Sequence, residues 1–145
     1  MADSYVWFGA GVAPSYLLIG IPLGHALKDL GIWGRLVAGL TILGAIATGI
    51  SYPAKRFDEP WNTLWGIEGP VWLAVIAAGL VAGGVALRRE RSLRAWLVMA
   101  IPFVIVVSTL LLGGYYPHAT PVGYGIFTAF LTRSTRTLEG KTTAT

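Results

Sequence analysis

Four hydrophobic stretches of membrane-spanning length occupy most of this chain, at about 5–27, 31–52, 70–87 and 93–115, and no charge lies deep inside any of them. At about 1.5 Å of rise per residue, each reaches across a hydrocarbon layer of about 30 Å. Backbone amides in hydrocarbon must be satisfied internally, so such stretches are helices. The expected fold is all-α: a polytopic, up-down bundle of four transmembrane helices in a single membrane domain, 1–131.

Composition agrees. Hydrophobic residues make up 54% of the 145 and charged ones 12%, against about 25% charged in an average soluble domain. A soluble domain this small has too much surface for its volume to hide that much apolar area. The absence of cysteine excludes disulfides, thiolate metal sites and iron–sulfur ligation. The net charge of +4 sits in the gaps between apolar stretches. There it sets topology and meets anionic lipid rather than nucleic acid. The first residues carry Asp3 and no base, unlike a cleaved signal peptide, so the first stretch is read as a retained helix.

Prolines punctuate the stretches. Pro14 and Pro22 predict a kink in the first, Pro53 ends the second, and Pro70 suits the first turn of the third, with Glu68 before it at the positive end of the dipole. The second link is longer and holds a predicted interfacial helix at 59–66, capped by Asp58, with Trp61, Leu64 and Trp65 on one face. Trp61, Trp65, Trp72, Tyr115, Tyr116 and Tyr124 are read as interface anchors. The apolar run 122–131 is too short to span and is read as a second interfacial or partner-packed helix, with 132–145 a flexible polar tail.

Small residues mark packing faces. Gly20 and Gly24, and Gly79 and Gly83, form GxxxG patterns, while Gly34, Ala38, Thr41, Ala45, Thr48 and Tyr52 share one face of the second helix. Close backbone approach is what associates helices in lipid.

Chemistry is sparse. His25 and His118 are the only histidines and the only candidates for a bound haem or quinone. With four antiparallel spans they fall on opposite faces, about 30 Å apart, so neither could share one haem with the other. No catalytic constellation is present, and whether the chain belongs to a membrane enzyme is left open. The residues required by small four-helix multidrug exporters (a glutamate in the first helix), by disulfide-forming oxidoreductases (cysteines) and by retinal proteins (a lysine within a helix) are missing. No internal repeat supports an inverted-repeat transporter.

The expected function is therefore a non-catalytic accessory or structural subunit of a larger membrane complex, with a respiratory or other energy-transducing complex as its setting. Other integral-membrane subunits and the bilayer are its expected partners. The alternatives are a redox anchor holding haem or quinone at a subunit boundary, and a small homo-oligomeric transporter or channel. For orientation, Lys28, Arg35, Arg88, Arg89, Arg91 and Arg94 stand against Lys55, Arg56, Arg133, Arg136 and Lys141. The tight cluster at 88–94 places that link in the cytoplasm of a cell membrane, with both termini outside.

Overall fold

A computed structural model describes the backbone of residues 2–108, 110 and 120–142, and the side chains of 13–108, 110 and 121–134. Among the described residues there are five α-helices and no strand: α1 (Ala2–Ala26), α2 (Ile32–Ala54), α3 (Glu68–Arg89), α4 (Leu93–Ser108) and α5 (Thr120–Thr142). Each helix packs on the next, and α5 packs on both α4 and α1, so the five form a closed ring. Two segments are long and apolar enough to cross a bilayer, α2 and the stretch Trp61–Arg89 that contains α3. Helix α4 is apolar but shorter.

Sequence boundaries and structure differ in places. Pro53 does not stop α2, which closes one residue later at Ala54, because proline's fixed φ suits a helical turn once only a single hydrogen bond is lost. Glu68 begins α3 at the positive end of the helix dipole, with its Oε2 buried and making no hydrogen bond among the described residues. The helix expected at 59–66 is a single 3₁₀ turn, Trp61–Leu64, with no side-chain cap, so Asp58 does not cap it. Instead the Asp58 carbonyl accepts from the Trp61 amide. The largest difference is α5. The run expected at 122–131 is the first half of a 23-residue helix, and 132–142 continue it where a flexible tail was expected.

Small residues fill the ring. Gly34, Ala38, Ala45, Ala78, Gly79, Ala82, Gly83 and Ala95 are buried. Large apolar side chains point outward on every helix: Leu18 is 72% exposed, Leu43 48%, Leu73 67%, Phe103 58% and Ile126 57%. Water would penalise that arrangement at about 25 cal/mol per Å² of apolar surface left exposed, whereas lipid tails accept it and leave close backbone packing to hold the helices.

Four of the glycines singled out by pattern lie where helices nearly touch. A Cβ on Gly20 would meet Ile42 Cγ1 at 2.6 Å, and one on Gly24 would meet Ala38 Cβ at 3.5 Å, joining α1 to α2. A Cβ on Gly79 would stand 3.2 Å from Pro102 Cδ, and one on Gly83 2.5 Å from Met99 Cα, joining α3 to α4. At Gly34 it would run into the Leu27 carbonyl oxygen, where the chain turns from α1 into α2. All these contacts are made within the chain itself.

Candidate functional site

Among the described residues the buried polar ones are all hydroxyls: Thr41, Thr48 and Ser51 on α2, Ser108 on α4 and Thr128 on α5. Thr41 and Thr48 each donate to the carbonyl four residues back, Val37 (2.8 Å) and Gly44 (2.7 Å). This is the usual way a helical threonine satisfies its proton. It leaves the oxygen free to accept from a neighbouring helix. Thr48 Oγ1 accepts the indole N–H of Trp72 on α3 at 3.2 Å. Thr41 Oγ1 lies 3.2 Å from the Tyr124 hydroxyl on α5, and since the threonine proton is already engaged, Tyr124 is the donor. Ser51 Oγ accepts the Gly66 amide at 2.8 Å and ties the second link to α2. One face of α2 thus docks α3, α5 and the link through three hydroxyls.

Aromatic rings fill the space around them. Tyr16 of α1 packs on Trp72 with ring centroids 4.6 Å apart, and the Trp72 ring lies 3.1 Å from the position a Cβ would take on Gly44. Tyr124 has no exposure at all. Of the expected interface anchors, Tyr124 is buried and Trp72 half-buried, and each sends its polar tip to a threonine of α2. Trp61 and Trp65 do sit on the outer link, 62% and 43% exposed. There Trp65 meets Tyr52 edge-on at 5.7 Å and carries Lys55 Nζ 4.6 Å from its ring centroid. Tyr115 and Tyr116 lie outside the described residues.

His25 is exposed in the last turn of α1, and His118 lies outside the described residues. Among the described residues no group of three His, Cys, Asp or Glu side chains is placed to hold a metal ion.

A second polar assembly closes one end of the ring. Arg94, its side chain only 11% exposed, reaches from the first turn of α4 to the Ala26 carbonyl (3.0 Å), to Asp29 Oδ2 (3.1 Å) and to Glu90 Oε1 (3.5 Å). Arg89 donates to the Asp29 carbonyl at 2.7 Å. These bonds fasten the α3–α4 link to the α1–α2 link. Sequence reasoning took this arginine cluster as a topology signal and missed its role as a clasp, because Asp29 and Arg94 are 65 positions apart.

Helix α5 changes which charges share that end. A Cβ on Gly123 would meet Ser108 Oγ at 2.7 Å, and one on Gly125 would meet Ile19 Cδ1 at 3.6 Å. So α5 starts beside the end of α4 and runs parallel to α1, toward the arginine end. Leu131 lies seven residues past Tyr124, about 10 Å along the axis. Gly34 lies seven residues from Thr41 on the oppositely directed α2, so Leu131 and Gly34 are level. Arg133 therefore falls at the depth of the arginine cluster, and positions 136 and 141 lie farther out. The arginine end gathers Lys28, Arg35, Arg88, Arg89, Arg91, Arg94, Arg133, Arg136 and Lys141, nine of the eleven basic residues, leaving Lys55 and Arg56 at the other end. The helical backbone also begins at one end, with Ala2, and finishes at the other, with Thr142. The two ends of the described backbone thus lie at opposite ends of the ring, whereas from sequence alone both termini are expected on one side of a membrane.

No protein-family model, curated protein or solved structure matches the chain.

Proposed function

We propose that this chain is a non-catalytic, integral-membrane structural subunit that works within a larger membrane assembly. The observation that carries this reading is the division between a closed interior and an apolar exterior. Inside, the α2 hydroxyls bond backbone carbonyls, an amide, an indole and a phenol, and aromatic rings pack around them. Outside, α4 presents Trp96 and Phe103 at seven-residue spacing, and α5 presents Val122, Ile126 and Phe130 along one stripe, all more than half exposed. A stripe of large side chains is a surface for lipid or for another helix, and it offers no polar group for chemistry. The glycine faces are already used within the chain, so partners are met through these large residues. The energy-transducing setting is part of the proposal on general grounds, since such complexes commonly contain small helical chains without chemistry of their own. Purification from native membranes in mild detergent, with mass spectrometry of the peak, is expected to return the chain with larger membrane proteins. A lone chain or a pure homo-oligomer would sink the subunit reading.

The proposed topology has five crossings. The count of nine basic residues against two supports a cytoplasmic arginine end under the positive-inside rule. The polar second half of α5 would emerge on that side, beside Arg94. Because the chain has no native cysteine, single cysteines report cleanly. Arg91→Cys and Lys141→Cys are expected to react with a membrane-impermeant thiol reagent from one side, and Asp58→Cys from the other. Labelling of positions 58 and 141 from the same side would restore a four-span arrangement.

A further inference from the structure

The arginine end does more than set orientation. Its two described carboxylates, Asp29 and Glu90, both pair with Arg94, the most buried cation there. That leaves Arg35, Arg88 and Arg91 exposed, their guanidinium groups without a hydrogen bond or ion pair among the described residues. They come from different parts of the fold: the first turn of α2, the last turn of α3 and the link to α4. Large apolar side chains stand at the same level. Ile32 is 67% exposed, Leu93 70%, Trp96 60% and Trp33 36%. Trp33 precedes Gly34, and Trp96 lies two residues past Arg94, so both indoles sit at the depth of the guanidinium groups. Unpaired guanidiniums directly beside exposed indoles and aliphatic side chains match a molecule that is anionic at its head and apolar below it.

We propose that this end is a binding surface for anionic phospholipid, with Arg35, Arg88 and Arg91 as ligands of the phosphodiester headgroups and Trp33 and Trp96 lying against the upper acyl chains. Guanidinium is suited to phosphate because its planar fork offers paired donors. A soluble anion would leave the apolar collar in water, and an acidic protein would need to cover that collar with apolar side chains of its own. A lipid supplies both halves at once. The opposite end lacks the combination: Lys55 is already seated on Trp65, and Asp58, Glu59 and Glu68 outnumber its two cations.

The inference rests on the membrane reading above. To test it, the full chain is reconstituted into bilayers of equal parts phosphatidylglycerol and phosphatidylcholine, re-extracted in mild detergent, and the retained lipids are quantified. Each cation at an anionic surface favours the anionic lipid by roughly fivefold, so phosphatidylglycerol is expected to be enriched fivefold or more. The R35Q/R88Q/R91Q variant is expected to bring the ratio close to one, while K55Q/R56Q keeps the enrichment. A wild-type ratio near one, or an unchanged ratio in the triple variant, overturns the proposal. If the wild-type ratio is near one and the triple variant instead loses an acidic protein from native-membrane preparations, the ligand is a protein and the lipid proposal falls. A chain that does not enter pure phosphatidylcholine bilayers overturns the membrane reading as well. Entry without a phosphatidylglycerol preference overturns the lipid surface alone.

Discussion

Gly83→Ala is expected to lower the thermal midpoint of the detergent-solubilised protein, whereas Gly84→Ala leaves it unchanged or raises it slightly. The two glycines are adjacent in α3 and differ only in what a methyl group would meet. At Gly83 the new Cβ would lie 2.5 Å from Met99 Cα, 2.9 Å from its Cβ and 3.0 Å from its amide nitrogen. Two of those atoms are backbone and cannot rotate away, so α3 and α4 must part. Overpacking of this kind costs about 1–3 kcal/mol. In lipid, parting the helices also loses the close contact that holds them. Alanine's better helix propensity returns about 1 kcal/mol at most, so the net sign is destabilising. At Gly84 nothing lies within 4 Å, and only the propensity gain remains. Gly83→Leu is expected to abolish the folded ring. Equal midpoints for the two alanine variants would refute the α3–α4 packing described above.

Tyr124→Ala is expected to release α5, and Tyr124→Phe to leave it nearly in place. Tyr124 has no exposure and is the largest of the completely buried side chains. Truncation leaves a void between α5 and its neighbours and an unanswered oxygen on Thr41. Large-to-small changes at such sites cost about 2–5 kcal/mol, with the cavity rather than transfer from water as the main contribution in lipid. Phenylalanine keeps the ring and loses only the hydroxyl contact, a bond worth about 0.6 kcal/mol between membrane helices. Amide hydrogen exchange along 120–134 separates the cases: fast exchange for the alanine variant, near wild-type protection for the phenylalanine variant. Comparable exchange in both would mean that the hydrogen bond, not the ring, holds α5.

Much of the helical framework was legible because α2 and α3 are apolar along nearly their whole length, and hydropathy reads that directly. Helix α5 was half visible for a physical reason. Its first turns are apolar, but past Leu131 it is rich in threonine and charge, which are poor signals for a buried span and, for threonine, only moderate helix formers. The hydroxyl face of α2 was legible from spacing at Thr41 and Thr48. Its partners were not, because Tyr and Trp carry an apolar body and a polar tip that suit a headgroup region and an internal threonine equally. Tyr16, a single aromatic in an apolar run, gave no signal of its stacking on Trp72. The clasp around Arg94 was hidden because it joins links 65 positions apart, and charge counts do not reveal which cations are already paired.

The ring closes only with α5, which comes after the other four helices in the chain. Until α5 arrives, α1 and α4 have a gap between them, and Ile19, Ser108 and the Thr41 hydroxyl oxygen face into it with no protein beside them. Helix α5 is thus a keystone set between α1 and α4 after the four helices that precede it in the chain. A nascent chain cut short before Thr120 would hold four formed helices and an open seam.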